Sequence, residues 1–144
     1  MDIQEIDHLT EHFYQSISFS KDRYPNYDML KELFYGSGKI ITNNAEQPLD
    51  FTIDSFSQTL MFQIESGNAT YFSQQEISDT TEIYGNLAQR ISVYEHSHLD
   101  DPKQKWKRGV NYIQFLKSKG VWLIISMIWQ DEKDEVKIPE VYLV

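Results

Sequence analysis

The chain has 144 residues, 40% of them hydrophobic and 14% aromatic, enough to bury one core without staples and to exclude compositional disorder. It has no cysteine, which removes disulfides, thiolate zinc sites and cysteine nucleophiles together. A formal net charge of -9 repels phosphate backbones, so nucleic acid is not an expected partner.

No internal repeat, low-complexity tract or Pro/Gly-rich linker interrupts the chain, so residues 1–144 read as a single domain. The acidic start, Met1-Asp2-Ile3-Gln4-Glu5, lacks the basic-then-apolar pattern of a secretory signal. The longest apolar run, Val121 to Trp129 with Ser126 inside it, is about half of what crossing a bilayer takes. These features predict a cytoplasmic location without membrane contact. The basic stretch Lys103-Gln104-Lys105-Trp106-Lys107-Arg108 reads as a solvated strand entry.

In chain order, an amphipathic helix is predicted from Ile3 to Ser18. Ile3, Ile6, Leu9, Phe13 and Ile17 fall on one face and Tyr14 at its edge. A second helix runs from Tyr27 to Tyr35, with Asn26 as N-cap and Gly36 and Gly38 as stops. Lys39 to Asn43 reads as a short strand, followed by turn chemistry through Pro48. The third helix has Thr52 as N-cap, Asp54 in its first turn, a stripe of Ile53, Phe56, Leu60 and Ile64, and Gly67 after it.

From Ala69 the period becomes strand-like. Four long strands are predicted over Thr70–Tyr84, Leu87–His98, Lys105–Leu116 and Val121–Asp131. Gly85-Asn86 and Lys117-Ser118-Lys119-Gly120 supply the hairpin turns. Helices followed by hairpin-linked strands give an α+β fold, with N-terminal helices packed on a strongly curved antiparallel sheet. Strands of this length twist and curl, and helices across the concave side would enclose a cone-shaped cavity. The apolar C-terminal segment Ile138–Val144 is expected to fold back over the domain or a partner.

This order of elements resembles the nuclear transport factor 2-like superfamily, which includes ketosteroid isomerase and the SnoaL-like cyclases. The matching phrases are Leu33-Phe34-Tyr35, Gly85 through Glu95, Arg108 through Phe115, and Gly120 through Trp129. The resemblance implies a cone-shaped, cystatin-like barrel and a homodimer paired through the outer sheet face. It leaves function open, because the superfamily mixes enzymes, binding modules and transport adaptors on one scaffold.

Against the isomerase pattern, Tyr14 matches the helix-one tyrosine that donates to an oxyanion. Thr42-Asn43 stands where the catalytic aspartate would be, and Tyr112 where the second acid would be. Neither replacement is a base near neutral pH, so steroid isomerase activity is not expected. If the strands match, Ile91, Val93 and Glu95, then Val110, Tyr112 and Gln114, then Ile125, Met127 and Trp129 line the concave face by the two-residue strand period. The expected ligand site is thus Tyr14, Thr42, Ile91, Val93, Glu95, Tyr112, Gln114, Met127 and Trp129, around a small hydrophobic or aromatic ligand.

Catalytic candidates are Tyr14 as donor and Glu95 as a buried general acid or base; a solvated Glu95 at a strand end is the alternative. His96 and His98 share a strand face, and His8 and His12 share a helix face. Neither pair has a third ligand, so no metal and no cofactor is expected. Gly36-Ser37-Gly38-Lys39 is helix termination, since a strand follows where a phosphate loop needs a helix. Three functions remain: a small-molecule-binding domain, a SnoaL-like cyclase, dehydratase or isomerase using Glu95 and a tyrosine, or a dimeric scaffold. The scaffold would pair through Tyr94, Ile113, Phe115, Trp122, Ile124 and Ile128 on the outer face.

Overall fold

The computed structural model describes residues 1–101, 103 and 106–144; Gln104 and Lys105 of the basic stretch lie outside the described residues. Helix α1 spans Asp2–Ile17, with Asp2 and Glu5 in its first turn, where the helix dipole favours acids. It buries Ile6, Phe13, Tyr14 and Ile17, and also Thr10, whose hydroxyl donates to the Ile6 carbonyl at 2.9 Å. Ile3, expected on this face, is exposed.

Helix α2, Tyr27–Glu32, starts where Asn26 accepts from the Met29 amide at 3.0 Å. It ends before the expected Tyr35 because the next residues pair with a strand. The Ile124 amide donates to the Leu33 carbonyl, and the Tyr35 amide to the Ile124 carbonyl, each at 2.8 Å. Gly38 then turns the chain at φ +65°, and a Cβ there would collide with Ile53 and Phe34. Helix α3, Ile53–Glu65, carries the expected Thr52 cap, completed by Ser55 into a reciprocal capping box.

The strands are β1 (Ile40–Thr42), β2 (Leu49–Phe51), β3 (Ser73–Tyr84), β4 (Leu87–Ser97), β5 (Lys107–Ser118) and β6 (Val121–Asp131). They form one sheet in the order β2-β1-β6-β5-β4-β3. Two expectations need correction. The sheet is mixed, since β1 runs parallel to β6, and it curls without closing into a barrel, with β2 and β3 left as edges. β2 went unpredicted because three residues are too few to show a period.

The faces also differ from expectation. On β4 the buried alternation is Ala88, Arg90, Ser92, Tyr94 and His96, and on β5 it is Gly109, Asn111, Ile113 and Phe115. These residues look inward at α1. Ile91, Val93, Glu95, Val110, Tyr112 and Gln114 therefore face outward, opposite to the expected lining. On β6 a bulge opposite Gln114/Phe115 shifts the register, so Trp122 and Ile124 and then Met127 and Trp129 all point inward. Ile125 is the residue left over, on the outer side. Of the six residues expected in a dimer patch, Ile128 alone is exposed; the other five are buried in the core.

The outer face is covered in part by the C-terminal segment. Lys133 and Val136 close a tight turn, Ile138 buries itself, and the 3-10 turn Glu140–Leu143 packs across β3 and β4. Ser78 donates to the Tyr142 carbonyl at 2.7 Å, and the Glu132 carboxylate accepts from the Ile138 amide at 2.9 Å. The segment thus folds back over the domain as its apolar sequence requires.

Candidate functional site

The inner face carries two polar clusters. In the first, Arg90 is 3% exposed and lies on β4, paired with Thr81 of β3 and reaching along that strand to its acids. Its guanidinium grips Glu76 through Nε at 3.0 Å and Nη2 at 2.5 Å, and reaches Asp7 of α1 at 2.7 Å and Asp79 at 3.3 Å. Burial works to lower the Arg90 pKa, but Glu76 and Asp7 outweigh it, and the charged form is favoured. Glu76 also accepts from Ser92 at 2.6 Å, and the Ser92 and Tyr14 hydroxyls pair at 2.8 Å. Asn111 donates to the Tyr14 oxygen at 3.3 Å. Burial pushes the Tyr14 phenol well above its ordinary pKa, so it stays protonated.

The second cluster sits where β4 ends and β6 ends. Tyr94 donates to Asp131 at 2.6 Å, and His96 Nε2 lies 3.0 Å from both oxygens of that carboxylate. Gly109 makes room for this, since a Cβ there would collide with the Tyr94 hydroxyl. Burial works to raise the Asp131 pKa, but the bonds from His96 and Tyr94 outweigh it and hold the carboxyl below its usual range. An ionised acceptor at Nε2 fixes a proton on that nitrogen, and in the neutral imidazole Nδ1 is then the lone-pair side. Among the described residues His96 Nδ1 is buried without a hydrogen-bond partner, as are Gln74 Oε1 and Asn111 Oδ1. Phe72 and His98 flank the imidazole, at ring-centroid distances of 5.7 and 5.2 Å.

Phe72 and His98 also line an apolar space of about 200 Å³, together with Phe19, Phe56, Leu60 and Trp129. This is the mouth of the cone. Its rim is closed by the Phe19–Phe72 backbone pair, bonded at 2.8 and 3.0 Å. Deeper in, the cone is filled. Phe13, Tyr14, Met127 and Trp129 join one core with Phe34 and Ile113, with Asn111 beside Met127.

The nominated residues separate accordingly. Tyr14, Met127 and Trp129 are inside, and Thr42 shares the inner face at the rim, paired with Trp129. Ile91, Val93, Glu95, Tyr112 and Gln114 are on the far side of the sheet. Glu95 accepts from Gln75 there and has no route to the cone, which removes it as a general acid or base. His8 and His12 are exposed on α1, as expected. Arg90, Ser92, His96 and Asn111 were missed. The signal was present, since β4 alternates Ala-Arg-Ser-Tyr-His against Leu-Gln-Ile-Val-Glu, and aliphatic character was assigned to the wrong side.

No family model matches the sequence, and no curated protein does. Solved structures do match. A cystatin-like protein from Nostoc punctiforme superposes with a TM-score of 0.71 at 13% identity, covering 92% of this chain and 92% of that one. The likeness extends across nearly the whole of both chains. This chain has the nuclear transport factor 2-like, cystatin-like fold. The same fold appears in the hexachlorocyclohexane dehydrochlorinase LinA-type3 from Novosphingobium barchaimii, with TM-score 0.70, 9% identity and coverage of 92% and 87%. It appears again in a putative dehydratase of the nuclear transport factor 2-like family from Streptomyces avermitilis, with TM-score 0.67, 10% identity and coverage of 92% and 97%. Among the described residues, no helix is long and apolar enough to cross a membrane.

Proposed function

We propose that the protein binds a compact, mainly apolar molecule at the mouth of the cone, with His96 as the polar group that meets it. The observation that carries this reading is the uncommitted Nδ1 of His96, buried behind Phe72 and His98 beside apolar space. A buried acceptor without a partner is costly, and a ligand hydroxyl or amine would supply the missing donor. About 200 Å³ suits one substituted ring, since an apolar void of ~150 Å³ takes benzene. Phe72 or His98 must swing aside for direct contact, a rotamer change of the kind that binding commonly brings.

Benzyl alcohol is a suitable probe. Its titration should shift the amides of Phe72 and His98 and the Trp129 indole, and move the His96 Nδ1 nitrogen resonance as it accepts a hydrogen bond. Leu60→Trp, which fills the mouth, should abolish these shifts. A His96 that carries its proton on Nδ1 would end the reading.

The His96–Asp131 pair favours a second reading, in which His96 removes a proton from the bound molecule. Asp131 holds the tautomer that leaves Nδ1 basic, the role a carboxylate plays behind any catalytic imidazole. Two of the matched structures are named for eliminations, a dehydratase and a dehydrochlorinase, and such reactions need a base at carbon. Hydrogen–deuterium exchange at an activated C–H of a bound probe such as phenylacetone tests it. Exchange that persists in His96→Gln would exclude His96 as the base.

A further inference from the structure

On the opposite side of the sheet from the cone, the C-terminal segment forms an arch rather than a lid pressed flat. One foot is the Ile138 amide bonded to Glu132, which Arg108 holds in turn at 3.1 Å. The other is Tyr142, whose carbonyl accepts from Ser78 and whose hydroxyl lies 3.0 Å from that of Tyr112. Between the feet remains a space of about 370 Å³. Val110 and Ile128 form its floor, and Val136, Ile138 and Pro139 its roof. The arch does not close on the floor: Tyr112 stays 48% exposed and Ile128 42%, although the segment passes directly over them.

The chemistry of the space is specific. Its floor and roof are aliphatic, Tyr112 and Tyr142 border it side by side, and Asn43, Gln130, Asp131, Glu132 and Lys137 join its lining. Two paired hydroxyls use one O–H between them, so a second O–H is left to donate. The volume lies at the lower end of the ~300–1,000 Å³ usual for small-molecule sites. We propose that the arch is a second small-molecule site, for a flat apolar molecule carrying one hydrogen-bond acceptor, of the aryl ketone class. Trp129 borders both spaces, with its ring on the cone side, and Asp131, the partner of His96, also borders the arch, but the proposal uses neither and does not rest on the reading given to the cone mouth.

The probe is 2-acetylnaphthalene, titrated into the whole chain and followed by amide shifts. The expected result is saturable shifts at Val110, Tyr112, Ile128 and residues 136–142. Affinity should fall roughly five- to tenfold in the double variant Tyr112→Phe/Tyr142→Phe, which keeps both rings and loses both hydroxyls. Val136→Trp should abolish binding by filling the roof. Thermal melting checks that each variant is folded, and Val136→Ala, which widens the space, replaces the tryptophan if that one is not. Shifts confined to Phe72 and His98 would overturn the arch while supporting the cone mouth. No shifts up to the solubility limit, or a double variant that binds within twofold of the parent, would also overturn it.

Discussion

The two polar clusters on the inner face stand a few strand residues apart, yet they are satisfied to different degrees. Around Arg90, three carboxylates and two hydroxyl-bearing side chains satisfy the guanidinium, and the unmet acceptor of this cluster, Asn111 Oδ1, lies away from it at the Tyr14 end. Around His96, one carboxylate takes Nε2 and the Tyr94 hydroxyl, and the other ring nitrogen has no partner among the described residues. Buried charge is tolerated only when paired, so the closed network reads as structure, tying α1 to β3 and β4. The open one retains an unmet hydrogen bond, and that is what a ligand can use.

This contrast can be broken by substitution. Arg90→Met leaves the half-buried Glu76 without its cation and should cost about 3 kcal/mol in urea unfolding. A loss below about 1 kcal/mol would show that the network does not hold the fold. Gly109→Ala forces the Tyr94 hydroxyl away from Asp131 and should cost about 1 to 3 kcal/mol. His96→Gln should cost less than Arg90→Met, about 1 to 2 kcal/mol, because it removes an unsatisfied nitrogen along with a satisfied one.

The acid limb sharpens the comparison further. Asp131 has its pKa lowered in the folded state, so its contribution is complete above the ordinary carboxyl value near ~4 and disappears as pH falls through the lower folded value. Asp131→Asn should therefore flatten the loss of stability on acidification below about pH 4, measured as unfolding midpoints against pH. The smallest effect is expected on the outer face. Ser78→Ala removes one foot of the arch and should cost about 0.5 to 1.5 kcal/mol, leaving the cone mouth unchanged in amide shifts.

Local signals in the chain were legible. Asn26 and Thr52 cap where cap residues stand before apolar stripes, and Gly85-Asn86 and Lys119-Gly120 turn the hairpins where small or left-handed residues interrupt strands. β6 runs over the predicted residues, because its apolar run is bounded by a glycine turn on one side and acids on the other. The site was less legible. Tyr14 could be placed by its helix phase, whereas Glu95 was nominated on a strand face that turned out to look away from the cone.

What the sequence determined by itself was therefore the order of elements, their caps and turns, and the α+β class, all set by neighbours within a few positions. Which side of β4 and β5 looks inward was decided by tertiary structure. Helices cover one side of the sheet and the C-terminal segment part of the other, so Val93 could be buried and Ile91 half-buried outside while Arg90 and His96 went in. A single bulge on β6 then turned both halves of that strand toward the core, a switch that no two-residue period can announce. The pairing of His96 with Asp131, 35 residues later, exists only because the sheet brings their strands within reach.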